Sequence, residues 1–150
     1  MKKIIFLAGS LFYSAMAFAQ EIHTDEVPSV VLNIFKQKFP KAADVEWKLK
    51  NQLYNVEFEI GRVDHEAWIN STGSIVKHKQ DITEGELPKS VSGSISKNYK
   101  GYRVDDAEKI ETGGKFLYKV ELKTASKEED LVFDQNGRLV ENYQLLFHAK

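Results

Sequence analysis

Cysteine is absent from all 150 residues. That one fact excludes a disulfide framework, cysteine-ligated zinc, a thiol nucleophile and a lipid anchor on an N-terminal cysteine. A surplus of charge is missing too. With 21 basic and 22 acidic residues the formal net charge is −1, so the basic patch that nucleic-acid binding requires is not supplied. What is present is apolar: 42% of the chain is hydrophobic and 11% aromatic. That is enough surface to offset chain entropy and build a core.

The N-terminus has its own pattern. Lys2 and Lys3 precede an uncharged run from Ile4 to Phe18, which closes on Ala17-Phe18-Ala19. A basic start, an apolar centre and small residues at the cleavage positions make a secretory signal peptide, cut before Gln20. The run is shorter than the roughly 20 residues of a spanning helix. Residues 1–19 are therefore expected to be removed and 20–25 to form a flexible mature N-terminus. Loss of Lys2 and Lys3 lowers the basic count from 21 to 19 against 22 acids, a net of −3. A soluble periplasmic or secreted protein, with no membrane insertion after cleavage, is the expectation.

One pattern then occurs twice. Val27-Pro28 and Leu87-Pro88 each open a stretch with apolar residues four apart: Val27, Val31, Phe35 and Phe39, then Leu87, Val91, Ile95 and Tyr99. That spacing lines one face of a helix, and proline suits a first turn, where the missing N–H has no partner anyway. The second helix is the weaker, because Gly93 and several serines lower its propensity.

After each helix the period becomes two. Tyr54, Val56, Phe58 and Ile60 alternate with polar residues, and Phe116, Tyr118, Val120 and Leu122 alternate with Leu117, Lys119, Glu121 and Lys123; Tyr54/Tyr118, Val56/Val120 and Phe58/Leu122 share one offset. Gly73 and Gly137 share that offset and mark equivalent turns. The expected strands lie near Asp44–Leu49, Leu53–Ile60, Val63–Asn70 and Ser74–Gln80, then Tyr102–Glu111, Lys115–Thr124, Glu129–Asp134 and Arg138–Leu145. The fold class is thus α+β, a tandem repeat of a helix plus a four-stranded antiparallel sheet, with repeats at 26–83 and 84–150 in one compact unit.

Val27-Pro28 leading into a helix, Tyr54-x-Val56-Glu57-Phe58, His65-Glu66-Ala67-Trp68-Ile69 and the turn at Gly73 together resemble the PepSY-like family. Its members are beta-lactamase-inhibitor-like, small exported proteins of Bacteroidetes-type bacteria. The resemblance runs from about Glu26 to Tyr143. It implies a fold like the beta-lactamase inhibitory protein, with helices on one sheet face and the other face open. It also implies a non-enzymatic role in binding or inhibiting a secreted peptidase, with no catalytic residues to carry over. This chain departs from the disulfide-stapled inhibitor in lacking cysteine.

Catalytic and metal motifs are missing. His23, His65, His78 and His148 have no helical metal-ligand spacing, and His65-Glu66 lacks the second histidine of H-E-x-x-H. No G-x-S-x-G elbow occurs, and Gly113-Gly114 reads as a hairpin turn. No cofactor is implied. Glu57 and Glu121 occupy matching places on the strand face opposite the core; the acid–base reading of this pair is weaker than a solvated face with cross-strand Lys–Glu pairing. Trp47 falls in register with the core. Trp68 and its counterpart Val132 fall on the other face, where a large aromatic either anchors a partner or packs across the sheet under Leu117 or lysine stems.

The function expected is an exported binding protein that docks another exported or envelope protein. It would use the open sheet face, with Trp68, Glu57, Glu66, Glu121 and Val132 as contacts. The alternative is a small-ligand envelope protein with a pocket between the repeats. Nothing in the pattern specifies an oligomeric state, although self-association through sheet edges is a third possibility.

Overall fold

Proline sets the start of both helices. In the computed structural model, which describes residues 20–141, Pro28 and Pro88 are N-caps at φ −55°, ψ 141° and φ −54°, ψ 143°. Helix α1 runs Ser29–Lys38 and α2 Lys89–Asn98. The prolines therefore stand one position earlier than the first-turn placement expected. A 3-10 turn precedes each helix, at Thr24–Glu26 and Glu84–Glu86. Glu26 and Glu86 each accept a 2.7 Å hydrogen bond from the backbone N–H three residues back, at His23 and Thr83, the reciprocal arrangement of a capping box.

Eight strands form a single antiparallel sheet in sequence order. They are β1 Gln20–Ile22, β2 Ala43–Lys50, β3 Leu53–Ile60, β4 Val63–Ile69, β5 Ile75–Asp81, β6 Arg103–Thr112, β7 Lys115–Lys123 and β8 Glu128–Asp134. Positive φ at both residues of Asn51-Gln52, Gly61-Arg62 and Gly113-Gly114 makes these two-residue hairpin turns, whose twist matches that of the flanking strands.

Three expectations need correction. Residues 20–22 are not a flexible tail but strand β1, because β2 offers them a free edge and Ile22 packs on the first core. The sheet does not divide four and four: β5 pairs with β6 from Lys77↔Thr112 to Asp81↔Glu108, making it continuous. Of the strand expected near Arg138–Leu145, the described part contributes a Phe133↔Leu139 bridge and a Val140 N–H bond to the Val132 carbonyl at 2.7 Å. The rest of that expected strand, His148 and the expected signal peptide lie outside the described residues.

Register shows that both helices cover the same face. Phe58, His65, Gln80, Lys109, Tyr118 and Phe133 form one cross-strand row. Phe58 packs in the cluster under α1, with Val31, Phe35, Trp47, Val56 and Ile69. Tyr118 and Phe133 pack in the cluster under α2, with Val91, Ile95, Val120 and Leu122. Each fully buried apolar side chain contributes roughly 1.5–3 kcal/mol relative to exposure, so packing, not propensity, holds the serine-rich α2. Between the two clusters this face is polar.

Candidate functional site

Side chains one residue out of phase with the cores point to the helix-free face. Trp68 pairs there with Asn55 and Lys77, and Glu66 with Glu57 and Lys79. Glu121 and Val132 lie on the same face but on β7 and β8, opposite Asp130 and Lys119. The structure therefore gathers Glu57, Glu66 and Trp68 and leaves Glu121 and Val132 apart from them.

The five differ in what they touch. Glu57 accepts a hydrogen bond from Lys48 at 2.6 Å. Glu66 accepts from Asn55 Nδ2 at 2.9 Å and from Lys79 at 3.2 Å. Glu121 is paired with Lys123. Trp68 is half-buried beneath Lys77, whose Nζ stands 3.5 Å from the ring centroid; this is the lysine cover rather than a bare aromatic. Burial pushes the Lys77 amine down to about 8, against the pull of Glu66 and with help from neighbouring Lys79. Val132 is a correction. It is 7% exposed and packs with Ile110 and Leu117, themselves 0% and 5% exposed, so it is part of a small third core on this face and not a contact surface.

The feature that single residues did not reveal is acidic. A cavity of about 480 Å³ is lined by eight carboxylates, those of Asp44, Glu46, Glu57, Glu59, Asp64, Glu66, Asp81 and Glu108, beside Lys79, Phe58 and His65. Lys79 joins Glu66 on β4 to Glu108 on β6 at 3.2 and 2.9 Å. Burial opposes its charge, but the Glu108 hydrogen bond and both carboxylates outweigh that and hold its pKa above the ordinary value. Among the described residues Asp44, Glu46, Glu59, Asp64 and Asp81 make no salt bridge. Burial raises the Asp81 carboxyl, and Asp106, Glu108 and Asp64 raise it further against the opposing pull of Lys79, the response of a carboxylate in a net negative field. A signal was available in Glu46 and the alternating acids of 57/59 and 64/66, which strand parity puts on one face. Asp44 follows from no periodicity, since its φ of 50° and the irregular register between Ala43 and Glu46 set its position.

The helix-covered face holds a second cavity, of about 290 Å³, between α1 and the β6–β7 hairpin, where the halves of the sheet meet. Lys38, Phe39, His78, Glu111 and Gly113-Gly114 are among its lining. Among the described residues no three His, Asp or Glu converge to hold a metal ion, and no helix is long and apolar enough to cross a membrane.

No curated protein matches the chain. A solved structure of a DUF2874 family protein from Bacteroides uniformis matches with a TM-score of 0.68 at 21% identity, covering 76% of this chain and 86% of that one. A structure from Bacteroides eggerthii, described as of putative periplasmic proteins, matches at TM-score 0.69 and 17% identity over 77% and 86%. A BLIP-like protein from Bacteroides fragilis matches at TM-score 0.66 and 19% identity over 76% and 83%. At these identities the likeness shows the fold: an antiparallel sheet with two helices, BLIP-like. The family described as "Putative beta-lactamase-inhibitor-like, PepSY-like" matches residues 16–77 and 52–141, and the chain belongs to that family.

Proposed function

We propose that this is an exported, non-enzymatic binding protein of the periplasm or cell exterior. It docks another exported protein on the helix-free face of its sheet, at the end formed by β2–β6. The observation that carries the reading is the acidic basin: eight carboxylates around one lysine in a concavity of about 480 Å³, five of them without a salt bridge among the described residues. Charge of one sign in a concave site attracts the opposite charge and speeds its encounter. The partner is therefore one that presents lysine or arginine side chains, with Trp68 and its lysine cover as the neighbouring anchor. A standard interface hides roughly 800 Å² per partner, an area a five-stranded patch supplies. The periplasmic description of the Bacteroides eggerthii relative and the BLIP-like description of the Bacteroides fragilis one support the compartment and the class of role.

The same reading takes the chain as two related helix-and-strand units. Its support is the near-identical backbone angles at Pro28 and Pro88, and at Phe39 and Tyr99 where the helices end, φ −125° and −121°.

The test is crosslinking capture in the native envelope with the wild type, Trp68→Ala and the double variant Asp64→Lys/Asp81→Lys. Circular dichroism serves as the folding control. A partner retained by wild type, lost by both variants and released as salt rises toward 0.5 M (roughly a 4 Å screening length) supports the reading. Equal capture by all three proteins refutes it.

A further inference from the structure

Two histidines stand in the polar strip between the cores. His65 on β4 and His78 on β5 are diagonal neighbours on the helix-covered face, since His65 pairs with Gln80 and Ala67 with His78. His65 Nδ1 lies 3.0 Å from His78 Nε2. Their ring planes differ by 4° with centroids 5.3 Å apart. With nitrogens that close and centroids that far, the rings meet edge to edge in nearly one plane, the geometry of an N–H···N bond and not of a face-to-face stack. One nitrogen must donate and the other accept, so the pair holds one proton along that line. We propose that His65 and His78 form a proton-operated latch, closed while at least one ring is neutral, that parts when acid charges both and loosens the C-terminal end of α1 from β5.

The surroundings give the latch its direction. One added proton can sit on an outer ring nitrogen and leave the N–H···N bond in place; once both rings are cationic, two N–H donors face each other at 3.0 Å and only separation relieves them. Phe58 and Phe39 flank the pair, with Phe58–His65 centroids at 5.2 Å and Phe39–His78 at 4.9 Å, so water does not readily solvate a new charge. Lys38 from α1 and Lys109 from β6 add positive potential at His78. Asp64 on β4 favours charge on His65, and Glu111 on β6 lies across from His78 at the cavity rim. Burial, then His65, then Lys38 and Lys109 push the His78 ring down to about 4, and burial lowers His65 as well, with Asp64 opposing. Both groups have folded values below the free imidazole value of about 6.5. The stability they confer is complete above pH of about 6.5 and is lost as pH falls toward about 4. Parting of the rings enlarges the 290 Å³ cavity beside His78. The latch depends on no partner and stands whether or not the opposite face docks one.

The experiment compares the purified protein with His65→Asn/His78→Gln, in which the amide N–H of one side chain can donate to the amide oxygen of the other and nothing titrates. Melting temperature is followed from pH 7.5 to 4, and imidazole titration in the wild type by NMR. The expected result is coupled titration with midpoints below the free value and an acid loss of melting temperature that the double variant shows in clearly reduced degree. Two independent imidazoles titrating near 6.5 overturn the proposal, as does a double variant with the full acid loss. If the variant fails to fold, the wild-type titration alone decides.

Discussion

Asn55 is the buried polar side chain of the described residues, 5% exposed. Its Nδ2 donates to Glu66 at 2.9 Å and to the Ala67 carbonyl at 3.4 Å, and so fixes a carboxylate of the basin beside Trp68. Asn55→Ala removes both bonds and leaves acceptors short of a partner, a loss of about 1–3 kcal/mol expected in urea denaturation. Glycines offer a sharper contrast. Gly61 and Gly137 both have positive φ, 61° and 76°, where any L side chain is strained by roughly 1–2 kcal/mol. A Cβ on Gly61 meets nothing, whereas on Gly137 it would stand 2.3 Å from the Ser90 carbonyl oxygen. Gly61→Ala is therefore expected to cost only the strain, and Gly137→Ala more than about 3 kcal/mol in total. Similar losses in the two variants would show that the turn does not press on α2.

That contact explains where the sequence was legible and where it was not. Strand β3 appears in the expected residues, because Tyr54, Val56 and Phe58 alternate without interruption and one sheet face is buried. Helix α1 follows from its four-residue spacing for the same reason. Strand β1, three residues long, has no period to read and exists only because β2 had a free edge. Serines lower the helix propensity of α2, yet two of them are joints: Ser90 Oγ donates to the Gln135 carbonyl at 2.7 Å and Ser94 Oγ to the Gly137 carbonyl at 2.6 Å. Propensity counts a residue inside its own helix and cannot see a bond 43 residues away. At the candidate site, parity put Trp68 on the correct face but said nothing of Lys77 above it, and the histidine pair is invisible until the β4–β5 register is known. Substitutions along α2 test this division. Ser94→Ala should destabilise by about 0.5–1.5 kcal/mol despite alanine's better propensity. Gly93→Ala, with no atom within 4 Å of the new Cβ, should stabilise by about 0.5–1 kcal/mol. Thermal melts of both decide the matter; a stabilising Ser94→Ala would reduce α2 to its propensities.

For the molecule as a whole, the open question of mechanics is whether two cores under one sheet behave as one unit. The clusters beneath α1 and α2 share no residue, yet the strands between them are well joined. Five residue pairs bind β5 to β6, Lys79 reaches Glu108 at 2.9 Å across the seam, and Ile110 beside it is fully buried on the same helix-free face. Free β5 and β6 edges would expose unpaired backbone groups and this apolar side chain together, so partial unfolding of one half is costly for the other. Both tryptophans, Trp47 and Trp68, lie in the first half, so fluorescence reports that half alone. Val120→Ala, a fully buried change in the second core, should cost roughly 2 kcal/mol. With a continuous sheet, the urea midpoint followed by tryptophan fluorescence should drop by as much as the midpoint followed by far-ultraviolet circular dichroism, even though the lesion lies three strands from the nearer tryptophan. A fluorescence midpoint that stays at the wild-type value while the dichroism transition splits would make the halves independent, and the β5–β6 pairing merely a seam.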